Sequence, residues 1–365
     1  MSQIKIAHIT SVHPQNDNRI LYKECTTLSR IGYDVTLIAA GAETQKANGI
    51  QIIGYEKANG GRVKRMIQTS FFDMIKECKK VDAEIYHFHD PELIFMGLYL
   101  KFLGKKVIYD IHENNPAAIL SKPYIKSKLL KKVFSITFNI LEQLTIKFFD
   151  AIVTARPDIS SRFKHKRLIT LRNFPILEDM LETKTIEIHK TKPAVIYVGG
   201  MSSIRGIPEL IKAFKYLPEY ELWLLGPIKE KKIEQDIEEQ ENVKYFGIVE
   251  AYDVFSYILK ADIGIITFLP VPNHIHTLAT KPFEYMACGK PMIMSNFTYW
   301  EETFGESSLY VDPTDIHDIA QTIQKLIEDE TLRKKMGEKN LNLSKNEYNW
   351  TQESQKLIAL YKELG

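Results

Sequence analysis

Strand-like and helix-like segments alternate along almost the whole of this chain, and the alternation breaks once. Residues 5–10, 34–40, 50–55, 84–89, 106–112, 151–155 and 167–173 read as strands. Helical periodicity fills 20–31, 63–80 and 91–103. Strands that are apolar on both faces need helices on both sides, so the pattern predicts parallel α/β layers. From Phe174 to Pro193 the chain turns polar, carries Pro175 and Pro193 and loses its apolar period, which marks a linker. A second series follows at 194–200, 221–226, 244–247, 263–267 and 291–295. The expected architecture is two α/β domains, 1–173 and 174–349. A length of 365 residues leaves each room for its own core.

Composition narrows the class. An apolar share of 44% and a charged share of 26% suit a soluble globular protein. No apolar run reaches membrane-spanning length, and the start MSQIKIAHIT lacks the charged and apolar regions of a signal peptide. Cys25, Cys78 and Cys288 are isolated, which fits a reducing cytoplasm and offers neither a disulfide nor a zinc site. Charge is uneven. Residues 1–170 hold 26 basic against 16 acidic residues, a balance of +10, and the remainder holds 22 against 30, a balance of −8. The excess is densest in SKPYIKSKLLKKVF, where Lys122, Lys126, Lys128, Lys131 and Lys132 interleave with Tyr124, Ile125, Leu129, Leu130 and Val133. Such a segment is either a solvated helix face or an interfacial helix on an anionic membrane. No nucleic-acid reading motif accompanies it.

Ligands of open α/β sheets sit beyond the carboxyl ends of strands, and four motifs stand there. LATKPFEYMACGKPMIMSN, residues 278–296, reads as a loop, a short helix carrying Glu284, a Gly-Lys-Pro break and a buried strand. Helix N-terminal amides around Thr277, Leu278, Ala279 and Thr280 would favour a phosphate, with Glu284 in reach of a ribose diol beyond it. YVGGMSSIRGIPEL ends a strand in Gly199-Gly200, which lets a ligand approach the backbone. Arg205 follows with a planar fork for phosphate oxygens. KVIYDIHENNP puts His112 directly after a strand, with Asp110 on the same side and Glu113 next to it. EIYHFHDPEL carries His87, His89 and Asp90; the His-x-His pair shares a face, but no Asp-His follows, so no metal site is expected. The early loop SVHPQNDNRI adds His13, Asp17 and Arg19 after the first strand.

The order and spacing of these motifs resemble nucleotide-sugar glycosyltransferases of the GT-B fold, family 4. HDPEL after a strand resembles a bacterial subgroup of them, whose chains also carry the SVHPQNDNRI string. The resemblance implies two Rossmann-like domains facing a cleft, with the final helix, 350–365, crossing back to the N-terminal domain. It implies donor binding by the C-terminal domain, with Glu284 on the nucleotide ribose and Arg205 on the diphosphate. It implies His112 on the transferred sugar, and an acceptor side shaped by His13, Asp17, Arg19, His89, Asp90 and Glu113. Two departures stand out. Gly200 takes the place of the family's first phosphate-binding Arg, for which Lys281 is the candidate replacement. His276 takes the place of the first of two Glu that stand eight residues apart.

The function implied is transfer of a sugar from a donor, UDP-linked, to a glycan or lipid-linked glycan acceptor in bacterial surface polysaccharide synthesis. The family's mechanism retains anomeric configuration and needs no metal or cofactor, and the chain has no Asp-x-Asp to hold one. Its expected place is the cytoplasm, peripheral to the membrane through Lys122–Lys132. The alternatives are a nucleotide-sugar epimerase or hydrolase of the same fold and a non-catalytic nucleotide-sugar binder, the latter prompted by His276.

Overall fold

The computed structural model describes residues 3–120, 122, 125–178 and 187–365. Tyr124 and residues 179–186 of the expected linker lie outside the described residues. The chain divides into two compact units, 1–173 with 353–365 and 174–352. Each is a parallel sheet layered with helices.

The first unit contains β1 (Lys5–Thr10), β2 (Asp34–Ala40), β3 (Gln45–Ala47), β4 (Ile50–Tyr55), β5 (Ile85–Phe88), β6 (Lys106–Ile111), β7 (Ala151–Thr154) and β8 (Leu168–Thr170). Their order in the sheet is β3-β4-β2-β1-β5-β6-β7-β8, parallel except for β3 against β4. β3 was not expected, because its QKA is polar and short, as suits an edge strand. Helical turns cover 18–30, 62–81 and 91–102. The first two include wide π-type turns, at Asn18–Cys25 and Gln68–Asp73, which periodicity alone does not predict. Residues 353–365 of the last helix, Trp350–Leu364, belong to this unit. There Glu353 accepts from the Arg172 amide at 2.8 Å and Tyr361 is wholly buried.

The second unit contains β9 (Ala194–Val198), β10 (Glu221–Leu225), β11 (Val243–Tyr245), β12 (Ile263–Ile266), β13 (Met292–Ser295) and β14 (Leu309–Val311), ordered β11-β10-β9-β12-β13-β14 and parallel throughout. The two-residue period of β9 builds both faces. Val195 and Tyr197 join one core with Ile211, Leu224 and Ile323, while Ala194, Ile196 and Val198 join another with Trp223, Tyr285 and Trp300. β14 was not anticipated, since three residues carry too little alternation to read.

One helix keeps an apolar face in solvent. Ser127 caps the helix Lys128–Thr145 by accepting from the Leu130 amide. Leu129, Val133, Ile136, Ile140 and Leu144, three or four residues apart and hence on one stripe, are all exposed. Lys126, Lys128 and Lys132 are exposed at its N-terminal end. Among the described residues no helix is long and apolar enough to cross a membrane.

Candidate active site

In the first unit polar side chains from β1, β5 and β6 meet at the strand ends. Register brings them together: His8 of β1 lies beside His87 of β5, and His89 and His112 follow the ends of β5 and β6. His112 Nε2 donates to Asp110 Oδ2 at 2.9 Å. Arg19 closes on the same carboxylate, Nε to Oδ2 at 2.9 Å and Nη2 to Oδ1 at 3.0 Å, and its Nη1 donates to the Leu171 carbonyl at 2.7 Å. Burial alone would raise the Asp110 pKa, but the charge on Arg19, with His112, holds it well below the ordinary carboxylate range. Glu24, buried beside them, goes the other way: burial and the Asp110 charge push its pKa well up. Of the two acids, Asp110 carries the charge.

The expected acceptor-side residues divide. His13 is part-exposed and its Nδ1 lies 3.1 Å from Asp17 Oδ2, while Asp17 Oδ1 caps the amides of Arg19 and Ile20 at 2.9 and 3.0 Å. Glu113 is exposed. Arg19, His89 and Asp90 are buried, and their polar atoms are engaged within the unit. Arg19 is consumed by Asp110 and Leu171. Asp90 Oδ2 is taken up by the Thr10 hydroxyl at 2.7 Å and the Ser11 amide at 2.6 Å, and so ties β1 to β5. Nothing in the sequence singled out His8, Glu24 or Tyr361, because a polar residue in an apolar alternation leaves no mark of what it will meet. Atoms able to ligate a metal do cluster, from His8, Glu24, His87 and His89 and again from His89, Asp110 and His112. His8 Nδ1 and His89 Nε2 are hydrogen-bond partners at 2.9 Å, and Arg19 Nε stands 3.0 Å from Glu24 Oε1, so a fixed cation already occupies the acid's side.

In the second unit the Gly199–Gly200 turn ends β9, two residues earlier than expected, with Gly199 at φ +146°. Arg205 follows on a single turn closed by Gly206, φ +67°. A Cβ on Gly206 would fall 1.8 Å from the Thr267 carbonyl oxygen, so glycine alone lets this turn sit against the end of β12. Arg205 is half-buried over the Phe268 ring, and its Nη1 donates to the Gly200 carbonyl at 3.1 Å. A second cation was missed. Lys229 Nζ lies 3.7 Å, and Arg205 Nη1 3.6 Å, from the point a Cβ on Gly200 would occupy. A lone Lys after β10 carries no sequence signal; it is brought here because its amide bonds the Met201 carbonyl at 3.0 Å.

Glu284 stands in the helix Lys281–Ala287. Lys281, the expected second phosphate cation, instead binds both Glu284 oxygens, at 2.7 and 2.6 Å. Tyr285 fixes this helix to β9: its hydroxyl donates to the Ile196 carbonyl at 3.2 Å and accepts from the Val198 amide at 3.1 Å. Gly264 makes room for that ring, since a Cβ there would lie 2.4 Å from it. The preceding loop is held by Trp300, whose Nε1 donates to the Thr277 carbonyl at 2.6 Å, and by Leu278 and Ala279, which pack on the core. His276 and Thr280 are exposed.

Comparison with known proteins matches both units. Residues 18–170 fit the family described as Glycosyltransferase Family 4, and residues 181–342 fit Glycosyl transferases group 1. An uncharacterized glycosyltransferase of Methanocaldococcus jannaschii is 23% identical over 340 residues, 83% of this chain and 80% of that one. O-antigen chain mannosyltransferase B of Escherichia coli is 27% identical over 180 residues, 46% of this chain and 45% of its own length. Among solved structures, sucrose-phosphate synthase from Thermosynechococcus elongatus superposes with a TM-score of 0.76 at 16% identity, over 99% of each chain. Anabaena HepE in complex with UDP and glucose does so at 0.70 and 13% identity, over 99% of this chain and 100% of that one. With both units matched in order, and with the fold shared from end to end, the chain belongs to the family 4, group 1 glycosyltransferases of the GT-B fold.

Proposed function

We propose that the chain transfers a sugar from a UDP-linked donor to a glycan or lipid-linked glycan acceptor in bacterial surface polysaccharide synthesis, with retention and without a metal. The observation that carries this reading is the pair of cations, Arg205 and Lys229, beside the Gly199–Gly200 turn. When the anomeric C–O bond breaks, its electron pair goes to the diphosphate. Two cations beside the turn stabilise that charge where it develops. The acceptor oxygen bonds the anomeric carbon from the face the diphosphate leaves, and its proton passes to a phosphate oxygen, so no protein nucleophile is needed. Glu284 takes the ribose diol once Lys281 turns from it toward phosphate. His112, held by Asp110, serves a hydroxyl of the transferred sugar, and His13 and Glu113 stand on the acceptor side. The UDP bound by Anabaena HepE and the O-antigen role of the E. coli relative support the choice of donor and pathway.

The experiment is nucleotide release from UDP-, GDP-, ADP- and TDP-sugars by the full chain, with and without a lipid-linked glycan, in EDTA. UDP release that requires the acceptor and survives EDTA is the expected result. Donor breakdown without acceptor would make the chain an epimerase or hydrolase, and tight donor binding without turnover a sensor.

The lipid-linked acceptor is favoured by the exposed apolar stripe of the helix Lys128–Thr145 with its lysines. Placed on the inner face of the cell membrane, each lysine near anionic lipid contributes about 1 kcal/mol, and the stripe adds a shallow anchor. The full chain should sediment with anionic vesicles and not with neutral ones, and lose this when Lys122, Lys126, Lys128, Lys131 and Lys132 are all changed to Gln. A wild type that ignores both vesicle types at low salt would point to a soluble acceptor.

A further inference from the structure

The terminal helix reaches the strand-end cluster of the first unit through one hydroxyl. Tyr361 Oη lies 2.9 Å from His87 Nδ1 and 3.3 Å from His8 Nε2. His8 Nδ1 lies 2.9 Å from His89 Nε2, and His89 Nδ1 lies 3.3 Å from Asp110 Oδ2, which also takes His112 Nε2 at 2.9 Å. His8, His87 and His89 are wholly or almost wholly buried, and burial lowers all three pKa values, so the rings are neutral.

Each neutral ring has one N–H and one lone pair, so fixing one tautomer fixes the rest. Asp110 is ionised and accepts only, and His112 Nε2, 3.2 Å from His89 Nδ1, spends its own N–H on that carboxylate. A lone pair on His89 Nδ1 would face the anion, so His89 turns Nδ1–H toward Asp110, which leaves Nε2 as an acceptor. His8 must then donate from Nδ1 and accept at Nε2. Tyr361 must donate its hydroxyl to His8 and accept from His87 Nδ1–H. The remaining atom, His87 Nε2, is a lone pair, and it is indeed buried without a hydrogen-bond partner. All three rings end in the Nδ1–H form, polarised toward Asp110. His112, donating from Nε2, keeps Nδ1 as an acceptor for a sugar hydroxyl.

We propose that Tyr361 and His8 are positioning residues for His112: a polarised chain from the terminal helix through His8, His89 and Asp110 holds that ring in its working orientation. The proposal rests on the transferase reading only for the role of His112. Without the Tyr361 hydroxyl, His8 Nε2 and His87 Nδ1–H are left buried and unpaired, the rings reorient, and His89 no longer sets Asp110.

Tautomers are read by 15N NMR of histidine-labelled full chain, with no substrate present. His8, His87 and His89 should each show Nδ1–H at neutral pH; an Nε2–H form or a bound metal at any of them overturns the chain. In Tyr361→Phe the 15N signals of His112 should shift, and kcat should fall about tenfold, the scale of a small displacement of a reacting group, while KM for the nucleotide sugar stays within about twofold because the nucleotide contacts lie in the other unit. Wild-type kcat in a Tyr361→Phe protein with wild-type melting overturns the proposal. If the wild type turns over no nucleotide sugar, the transferase reading fails alone, and unshifted His112 signals in the variant still decide against the chain.

Discussion

The two units use the same parallel sheet and treat its carboxyl end in opposite ways. In the first, charge is driven inward. Arg19, Asp110, Glu24 and three imidazoles are buried against one another; Arg19 and His112 hold Asp110, and His8 bonds His89, while the Glu24 oxygens and His87 Nε2 accept no hydrogen bond. In the second, aromatic rings fill that space, with Phe283, Tyr285 and Trp300 packed in the core that Leu278 and Ala279 join, and the cations Arg205 and Lys229 stay half-buried or exposed beside a glycine turn. A buried polar network is costly wherever a group is left unpaired, and its paired members permit one arrangement. Accessible cations over an apolar floor are open to an incoming anion. The first arrangement suits orientation of a hydroxyl, the second capture of a diphosphate.

Acid should separate them most strongly. A ring whose folded pKa lies below its unfolded value of 6.5 gains its proton only on unfolding, so its neutral burial is stabilising above that value and the stability is lost as pH falls below it. For His89, lowered to about 4, the loss spans about pH 6.5 to 4 and amounts to roughly 3 kcal/mol at 1.36 kcal/mol per unit. His8 and His87 shift in the same direction and add to it, and Asp110 extends it to lower pH. Glu24, raised, offsets part, since it takes up its proton in the fold. All three tryptophans, Trp223, Trp300 and Trp350, lie in the second unit. Across this window circular dichroism should report loss of helix while tryptophan fluorescence stays native. Both signals falling together would show that the units do not differ in this way.

The same contrast explains what could be read from sequence. Layer order, β1 to β13 apart from short β3, and the strand-end motifs follow from local periodicity and from Gly and Pro placement, which a sequence displays directly. His112 beside Asp110 follows from two-residue alternation. Arg19 was legible as a loop residue but not as the buried partner of Asp110, because the wide turn Asn18–Cys25 that carries it inward has no sequence period. Tyr361 meets His8 across 353 residues, and Lys229 is brought beside Gly200, where Arg205 also lies, through the pairing of Met201 with Ile228. Those contacts are set by tertiary register, and no local pattern encodes them.

On the second unit's side, Arg205→Ala should cut turnover by about a hundredfold, the loss expected when one charge-stabilising donor is removed at a developing oxyanion. Stability should change by no more than about 1 kcal/mol, because Arg205 is half-buried, pairs with one carbonyl and lies over the Phe268 ring. Lys229→Ala should lower turnover in the same direction. If Arg205→Ala unfolds the protein instead, its Gly200 contact is structural, and the contrast with Arg19 disappears.

The smallest effect is expected at Glu284. Its carboxylate is already neutralised by Lys281, with bonds of 2.7 and 2.6 Å, so binding a ribose diol exchanges partners and does not gain a wholly new one. Glu284→Gln weakens the ribose hydrogen bonds, which to a charged acceptor are worth roughly 1.5–3 kcal/mol. The same change frees the Lys281 ammonium to face the diphosphate, which returns part of that loss for UDP. The net cost should be about 1 kcal/mol for UDP and larger for uridine, which has no phosphate for Lys281 to meet. Titration calorimetry of both ligands against wild type and variant measures the difference directly. Equal losses for the two would mean that Lys281 does not turn toward phosphate, and no loss for either would remove Glu284 from the nucleotide site.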